Sequence, residues 1–204
     1  MARGPCVARR RLTLHSSNQL DTAPLVLGTL WAQGIVTPAN PTYTADELAF
    51  QLMDSGAIAL ATLADFLPVA EQAAAKAGIP KDRIILIGDK RVDGYQHWTQ
   101  VHDSSTAFKR RKGKVDVKKD LAFLVYSSGT TGHPKGVMLS HCNVASNILM
   151  LLTGEDGNLH WSRDCLVAFL PFFHIYGLVC RRPLATRRRT CADFRPRPAP
   201  HQPL

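Results

Sequence analysis

The sequence lacks the cysteine spacing of a metal site, and it has no apolar run long enough to span a membrane. Its five cysteines are scattered and form no Cys-x-x-Cys pair, a pattern that predicts reduced thiols in an intracellular protein. The longest apolar stretch, 166–180, is interrupted by Pro171, His174 and Gly177 and is shorter than the roughly 20 residues that a spanning helix needs. No signal-peptide run follows the first arginines. We therefore expect a cytoplasmic or peroxisomal protein without a membrane span.

Acidic residues are nearly absent from the two ends of the chain. The net charge is +9, but residues 1–11 hold four arginines without an acid, and residues 181–204 hold seven arginines with one acid, Asp193. The middle of the chain is near neutral, which argues against a nucleic-acid partner. The basic run 109–119 is interrupted by Asp116 and has no interleaved aromatic residues for base stacking. We interpret this run as a solvated loop; the alternative is a nuclear-import or nucleic-acid patch.

Short apolar runs alternate with helix-like segments over the first half of the chain. Gly34 and Gly78 are helix stops, Thr44 with Glu47 has the spacing of a capping box, and residues 38–41 are predicted to form a turn or loop. Strands are predicted at 12–15, 35–36, 57–62 and 83–87, and helices at 21–33, 44–55 and 65–77. Residues 88–120 are expected to form a less patterned connection. The alternation predicts an α/β fold with a mostly parallel sheet flanked by helices.

Residues 126–136 combine hydroxyls, glycines and one lysine in a short loop directly after the apolar strand-like run 121–125. Glycines let the backbone approach a ligand closely, and successive backbone N–H groups form a concavity for anions. A lysine adds a compact positive charge that suits a phosphate. The candidate polyphosphate-binding residues are Ser127, Ser128, Gly129, Thr130, Thr131, Gly132 and Lys135.

Two other interpretations of this loop fit less well. A P-loop needs a second glycine five residues after Gly129, followed by lysine and a hydroxyl residue. That position is Pro134, and Lys135 is followed by Gly136. A flexible Gly/Ser linker does not explain the Pro-Lys-Gly sequence or the apolar run 137–139 that follows it.

The second half of the chain continues the alternation of strands and helices until its composition changes after Cys180. A return strand is predicted at 137–139, followed by a helix that is capped by Ser140 and buries Val144, Ile148 and Leu151. A further strand is predicted at 166–171. After Cys180 the composition becomes rich in arginine and proline, and we interpret 180–204 as non-native coding sequence, with a disordered tail as the alternative. The expected domains are a basic segment at 1–11, an α/β domain at 12–179 and this tail.

The loop closely resembles the phosphate-binding loop of the AMP-forming adenylate synthetases, the superfamily of acyl-CoA synthetases, luciferases and peptide-synthetase adenylation domains. The segment Leu170-Pro-Phe-Phe-His-Ile-Tyr-Gly177 resembles a second core motif of the same superfamily, and residues 34–56 resemble the segment that precedes the loop. The resemblance covers about residues 12–179. The plain Pro-Phe-Phe-His-Ile-Tyr-Gly run is typical of the 4-coumarate:CoA ligase and fatty acyl-CoA branch.

This resemblance implies a two-step reaction with a small carboxylic acid, ATP, Mg²⁺ and coenzyme A. The carboxylate attacks the α-phosphate of Mg·ATP to give an acyl-adenylate and pyrophosphate, and the thiol of coenzyme A then displaces AMP. By resemblance, the seven loop residues cradle the triphosphate. His174 and Lys135 are the catalytic candidates, with His174 at the mouth of the acyl pocket. No residue of this chain is predicted to ligate a metal.

Three of the superfamily's segments do not occur in these 204 residues. They are a Tyr-Gly-x-Thr-Glu segment for adenine and magnesium, a Thr-Gly-Asp segment for ribose, and the small C-terminal domain with its adenylation lysine. We therefore expect an inactive fragment of an acid–CoA ligase. The alternative is a non-catalytic nucleotide-binding or interaction module that retains the phosphate loop.

Overall fold

A seven-stranded sheet forms the centre of the protein in its computed structural model, which describes residues 10–101, 115–127, 134–154 and 170–181. The strands are β1 (Arg11–His15), β2 (Ile35–Ala39), β3 (Ala59–Leu63), β4 (Ile84–Ile87), β5 (Gln96–His97), β6 (Leu121–Ser127) and β7 (Lys135–Ser140). Their spatial order is β5-β4-β3-β1-β2-β6-β7. Every pair is parallel except β6 and β7, which are antiparallel. The predicted α/β class is confirmed.

Helices cover both faces of this sheet. They are α1 (Thr22–Trp31), α2 (Ala45–Ser55), α3 (Leu67–Lys76), α4 (Trp98–Val101) and α5 (His141–Gly154), with 3₁₀ turns at Ala64–Phe66 and Lys81–Arg83 and a π-helical turn at Tyr176–Arg181. Neighbouring strand residues point to opposite faces. Leu60 therefore packs with α2 and α3, while Ala61 packs on the side of α1 and α5. No helix within the described ranges is long and apolar enough to cross a membrane.

Local sequence signals determine where α2 begins and ends. The Thr44 hydroxyl accepts a hydrogen bond from the backbone N–H of Glu47, and the Glu47 carboxylate accepts one from the Thr44 backbone N–H at 2.8 Å. This capping box satisfies two N–H groups at the ends of the first turn. Gly56 then ends the helix with a φ of 60°, a conformation that glycine adopts without a Cβ clash. Both predicted boundaries of α2 are confirmed.

Strand β2 continues through Pro38, where a turn or loop was expected. The Ile35 N–H donates to the Arg10 carbonyl of the β1 side, so alternate residues of β2 present their backbone groups to β1. Pro38 faces the other neighbour, β6, whose register with β2 is limited to Val36 and Phe123. The proline therefore deprives no ladder position of a donor. Its carbonyl accepts a hydrogen bond from the buried Gln51 side chain at 3.1 Å.

The connection 88–120 contains a short strand and a helical turn, β5 and α4, that the sequence did not predict. Side-chain hydrogen bonds, and not apolar periodicity, define this region. His97 Nε2 lies 2.7 Å from the Gly88 carbonyl, and Trp98 Nε1 donates to the Asp21 carboxylate at 2.7 Å. Such long-range polar contacts leave no periodic signal. Residues 109–114 of the basic run and the predicted strand residues 166–169 lie outside the described residues, while Leu170 and Pro171 are not in a strand.

Candidate functional site

The carboxyl ends of the six parallel strands, β1 to β6, lie at one edge of the sheet. β1 pairs with β2 on one side and with β3 on the other, so the chain changes direction across the sheet at β1. A crevice at such a switch point is where open α/β sheets usually bind ligands. β6 is parallel to β2, so Ser127 at its carboxyl end lies at this same edge. The loop that follows Ser127 therefore begins at the edge where ligand binding is expected.

The two ends of the candidate phosphate loop face each other. Ser127, the last residue of β6, is directly opposite Lys135, the first residue of β7. Both residues are exposed. The loop therefore closes between two antiparallel strands, and Ser127 and Lys135 converge at its base. The other predicted loop residues, Ser128, Gly129, Thr130, Thr131 and Gly132, lie outside the described residues.

A tyrosine of β6, Tyr126, packs against β7 at the base of this loop. A Cβ added at Gly136 would lie 3.2 Å from Cζ of Tyr126, so the tyrosine ring packs across the bare glycine backbone. The Tyr126 hydroxyl donates to the Asp54 carboxylate near the end of α2. Burial, together with this hydrogen bond, raises the pKa of Tyr126 above its usual value. The sequence motif contained Tyr126 and Gly136, but their link to Asp54 spans 72 residues and had no sequence signal.

The second motif folds back at the carboxyl end of β1. Asn18, three residues beyond β1, donates from Nδ2 to the Leu170 carbonyl at 2.9 Å, and its Oδ1 accepts from the Phe172 N–H at 2.7 Å. The His174 N–H donates to the Pro171 carbonyl at 3.2 Å, and the Leu178 N–H donates to the His174 carbonyl at 2.9 Å. His174 itself is exposed.

Gly177 is required by the close packing of this turn. A Cβ at Gly177 would lie 2.2 Å from the Pro171 carbonyl oxygen, a distance that no side chain tolerates. The motif's aromatic residues differ in burial. Phe172 and Phe173 are partly buried, whereas Tyr176 is 53% exposed. The turn therefore presents His174 and Tyr176 outward.

The two predicted motifs thus share one edge of the sheet. Asn18 holds the His174 turn at β1, and the phosphate loop begins at the end of β6. β2 separates these strands, and two strand spacings amount to about 10 Å. An ATP-sized ligand can contact both motifs across such a span.

A second histidine at this edge, His15, was not predicted as a site residue. His15, the last residue of β1, is fully buried, with Nδ1 3.3 Å from Oγ1 of Thr62 and its ring 5.4 Å from that of Phe66. Burial lowers the pKa of His15 to about 4, although a hydrogen bond to the Pro41 backbone acts in the opposite direction. His15 is therefore neutral near pH 7 and supplies no positive charge for a phosphate.

The described part of the chain has no cluster of three or more histidine, cysteine, aspartate or glutamate side chains that could hold a metal ion. The described candidate donors at the base of the loop are the Ser127 hydroxyl and the Lys135 ammonium, which suit phosphate oxygens.

Comparison with known proteins shows similarity to one enzyme family over most of the chain. The sequence model of a family described as "AMP-binding enzyme" matches residues 7–201. A 4-coumarate–CoA ligase of Pinus taeda is 36% identical over 163 residues, covering 79% of this chain and 29% of that protein. A long-chain-fatty-acid–CoA ligase of Salmonella typhimurium is 30% identical over 190 residues, covering 82% of this chain and 34% of that protein.

Solved structures agree with this similarity. ATP-bound MatB from Rhodopseudomonas palustris superimposes with a TM-score of 0.69 at 29% identity, covering 89% of this chain and 34% of that one. A long-chain-fatty-acid-CoA ligase from Archaeoglobus fulgidus gives a TM-score of 0.72 at 27% identity, covering 90% and 36%. The chain thus spans about a third of the length of these relatives.

Proposed function

Because the chain belongs to the AMP-binding enzyme family, we propose that it forms the phosphate-binding part of an AMP-forming acid–CoA ligase. In the first step of this reaction, a carboxylate oxygen attacks the α-phosphorus of ATP, and the bond to the β-phosphate oxygen breaks to release pyrophosphate. In the second step, the thiol of coenzyme A attacks the acyl-adenylate, and AMP leaves. The convergence of Ser127 and Lys135 at the carboxyl edge carries this proposal.

The loop's task in the first step is to stabilise the charge of the departing pyrophosphate. The Lys135 ammonium neutralises part of the charge on the β- and γ-phosphates, and the hydroxyls and N–H groups of residues 127–132 donate hydrogen bonds. Donors fixed before the reaction stabilise developing charge without reorganisation. Tyr126 and Gly136 support the lysine because they fix the strand that carries it. Magnesium would enter as the Mg·ATP complex and would offset part of the phosphate charge beside Lys135.

His174 is proposed to lie beside the acyl group of the adenylate. It is exposed at the same edge as the loop, and the turn that carries it is fixed to β1 through Asn18. The names of the relatives point to a hydroxycinnamate or a long-chain fatty acid as the carboxylic acid.

Nucleotide binding by the loop can be tested by titration calorimetry with Mg·ATP and with AMP. We expect ATP to bind more tightly than AMP, because the loop contacts the β- and γ-phosphates. Lys135→Ala should weaken ATP binding by about ten-fold, the value of one charge-assisted hydrogen bond. Lys119→Ala is the matched control, since Lys119 is an exposed lysine before β6, at the opposite edge of the sheet. Equal ATP affinity in the Lys135 variant and the wild type would refute the proposed role of the loop.

Catalysis requires a separate assay, ATP–pyrophosphate exchange with 4-coumarate or palmitate. The 204 residues include no Tyr-Gly-x-Thr-Glu or Thr-Gly-Asp segment, so we expect the 204-residue chain by itself to give no exchange. Exchange above the level of Lys135→Ala would show that this chain catalyses adenylation. ATP binding without exchange agrees both with a ligase part and with a nucleotide-binding module. Exchange by a fusion of this chain with the two thirds of a relative that it does not span would favour the ligase.

A further inference from the structure

We propose that Asn18 is a positioning residue that fixes the turn carrying His174. Its side chain joins the end of β1 to a segment 152 residues later, through one donated and one accepted hydrogen bond of 2.9 and 2.7 Å. The importance of this contact for the reaction rests on the ligase function proposed above. The contact itself can be tested independently of that function.

Asparagine suits this position because the two backbone groups need opposite partners. The Leu170 carbonyl requires a donor, and the Phe172 N–H requires an acceptor. A side-chain amide offers both within one planar group, whereas a carboxylate only accepts and an aliphatic side chain does neither. Asn18 therefore bridges the two backbone groups on either side of Pro171, where the turn begins.

The other end of the turn is fixed by burial. Leu178 is 3% exposed and packs in the same apolar cluster as Leu12 and Leu14 of β1, and its N–H closes the turn on the His174 carbonyl. Both anchors thus attach the segment to β1. Asn18 does so through hydrogen bonds at the carboxyl end of the strand, and Leu178 does so by apolar packing. Loss of Asn18 would release only the first anchor, so the position of His174 would change while the core remained intact.

Amide hydrogen exchange measured by NMR on the 204-residue chain tests this proposal. In Asn18→Ala, we expect the Phe172 amide to exchange roughly two- to ten-fold faster, since it loses its acceptor. Asn18→Asp keeps an acceptor for Phe172, and its exchange rate should lie between those of the wild type and Asn18→Ala. The Leu14 amide of β1 should be unaffected in both variants. The ring resonances of His174, assigned with His174→Gln, should shift in Asn18→Ala.

Asn40→Ala is the matched control. Asn40 follows β2 at the same edge, and its side chain accepts a hydrogen bond from the Thr42 N–H at 3.0 Å. This variant should leave Phe172 exchange and the His174 resonances unchanged. Unchanged Phe172 exchange in Asn18→Ala, or equal acceleration at Leu14, would overturn the positioning role. Failure of the wild type to bind ATP would instead refute the proposed function, and the exchange rates would still decide whether Asn18 fixes the turn.

Discussion

Buried His15 predicts that the protein loses stability as the pH falls below about 6.5. The side chain is fully buried at the end of β1, and burial lowers its pKa from 6.5 to about 4. It contacts the Thr62 hydroxyl, the Phe66 ring and the Pro41 backbone, none of which is ionisable. An imidazolium at this position would therefore have no counter-charge among these neighbours.

The sign and size of the effect follow from the two pKa values. Above pH 6.5 the imidazole is neutral in both the folded and the unfolded chain, so its contribution to stability is fully present. Between pH 6.5 and pH 4 the unfolded chain binds a proton that the folded chain does not bind. The free energy of unfolding then falls by about 1.4 kcal/mol per pH unit, or about 2 kcal/mol by pH 5. That loss is large beside the roughly 5–15 kcal/mol that typically stabilises a domain.

Urea unfolding followed by circular dichroism at pH 7.5, 6.5, 5.5 and 5.0 measures this loss. His15→Gln cannot titrate but retains a group that can hydrogen-bond to Thr62, so the stability difference between wild type and variant should shrink by about 2 kcal/mol between pH 6.5 and pH 5. His174→Gln, which removes an exposed histidine, should follow the wild-type profile. The range stops at pH 5 because carboxylates titrate below it. Parallel profiles for wild type and His15→Gln would refute the assignment of the pH dependence to His15.

Two further substitutions test local features of the fold. Thr44→Ala removes the hydroxyl of the α2 capping box and should lower the free energy of unfolding by about 1 kcal/mol in urea; an unchanged unfolding midpoint would contradict the cap. Gly177→Ala forces a Cβ towards the Pro171 carbonyl, so the turn should open and the Leu178 amide should exchange about ten-fold faster. Retained protection of that amide would show that the turn tolerates a side chain.

Local patterns in the sequence were sufficient to predict most of the sheet and its covering helices. The capping box at Thr44 and the apolar run before the loop each act within a few residues, and each has the predicted outcome. The Ser140 hydroxyl likewise accepts from the Asn143 N–H at 3.1 Å, as expected of an N-cap.

The wrong prediction of a turn at Pro38 arose because the deciding contacts are not local. Whether a proline can lie in a strand depends on which neighbour its missing N–H would face, and that is decided by the order of the strands.

The contacts that support the candidate site could not be predicted in the same way. Tyr126 and Asp54 are 72 residues apart, and Asn18 and Leu170 are 152 apart. Polar side chains at such separations have no periodicity that would pair them. The sequence therefore indicated the loop and the His174 motif as separate elements. That they share one edge follows from the parallel order of β1, β2 and β6.

The element that follows Lys135 explains why this loop departs from the P-loop pattern. In a P-loop the lysine opens a helix, whose N-terminal N–H groups bind phosphate and whose next residue supplies a hydroxyl. Here Lys135 opens a strand, β7, so no helix N-terminus directly follows the lysine. The next residue, Gly136, instead packs against the Tyr126 ring, and its lack of a side chain leaves room for that ring. Under the proposed function, the hydroxyls before the lysine take over the donor role that the helix N-terminus has in a P-loop. This role explains why four hydroxyl residues precede the single lysine: Ser127, Ser128, Thr130 and Thr131.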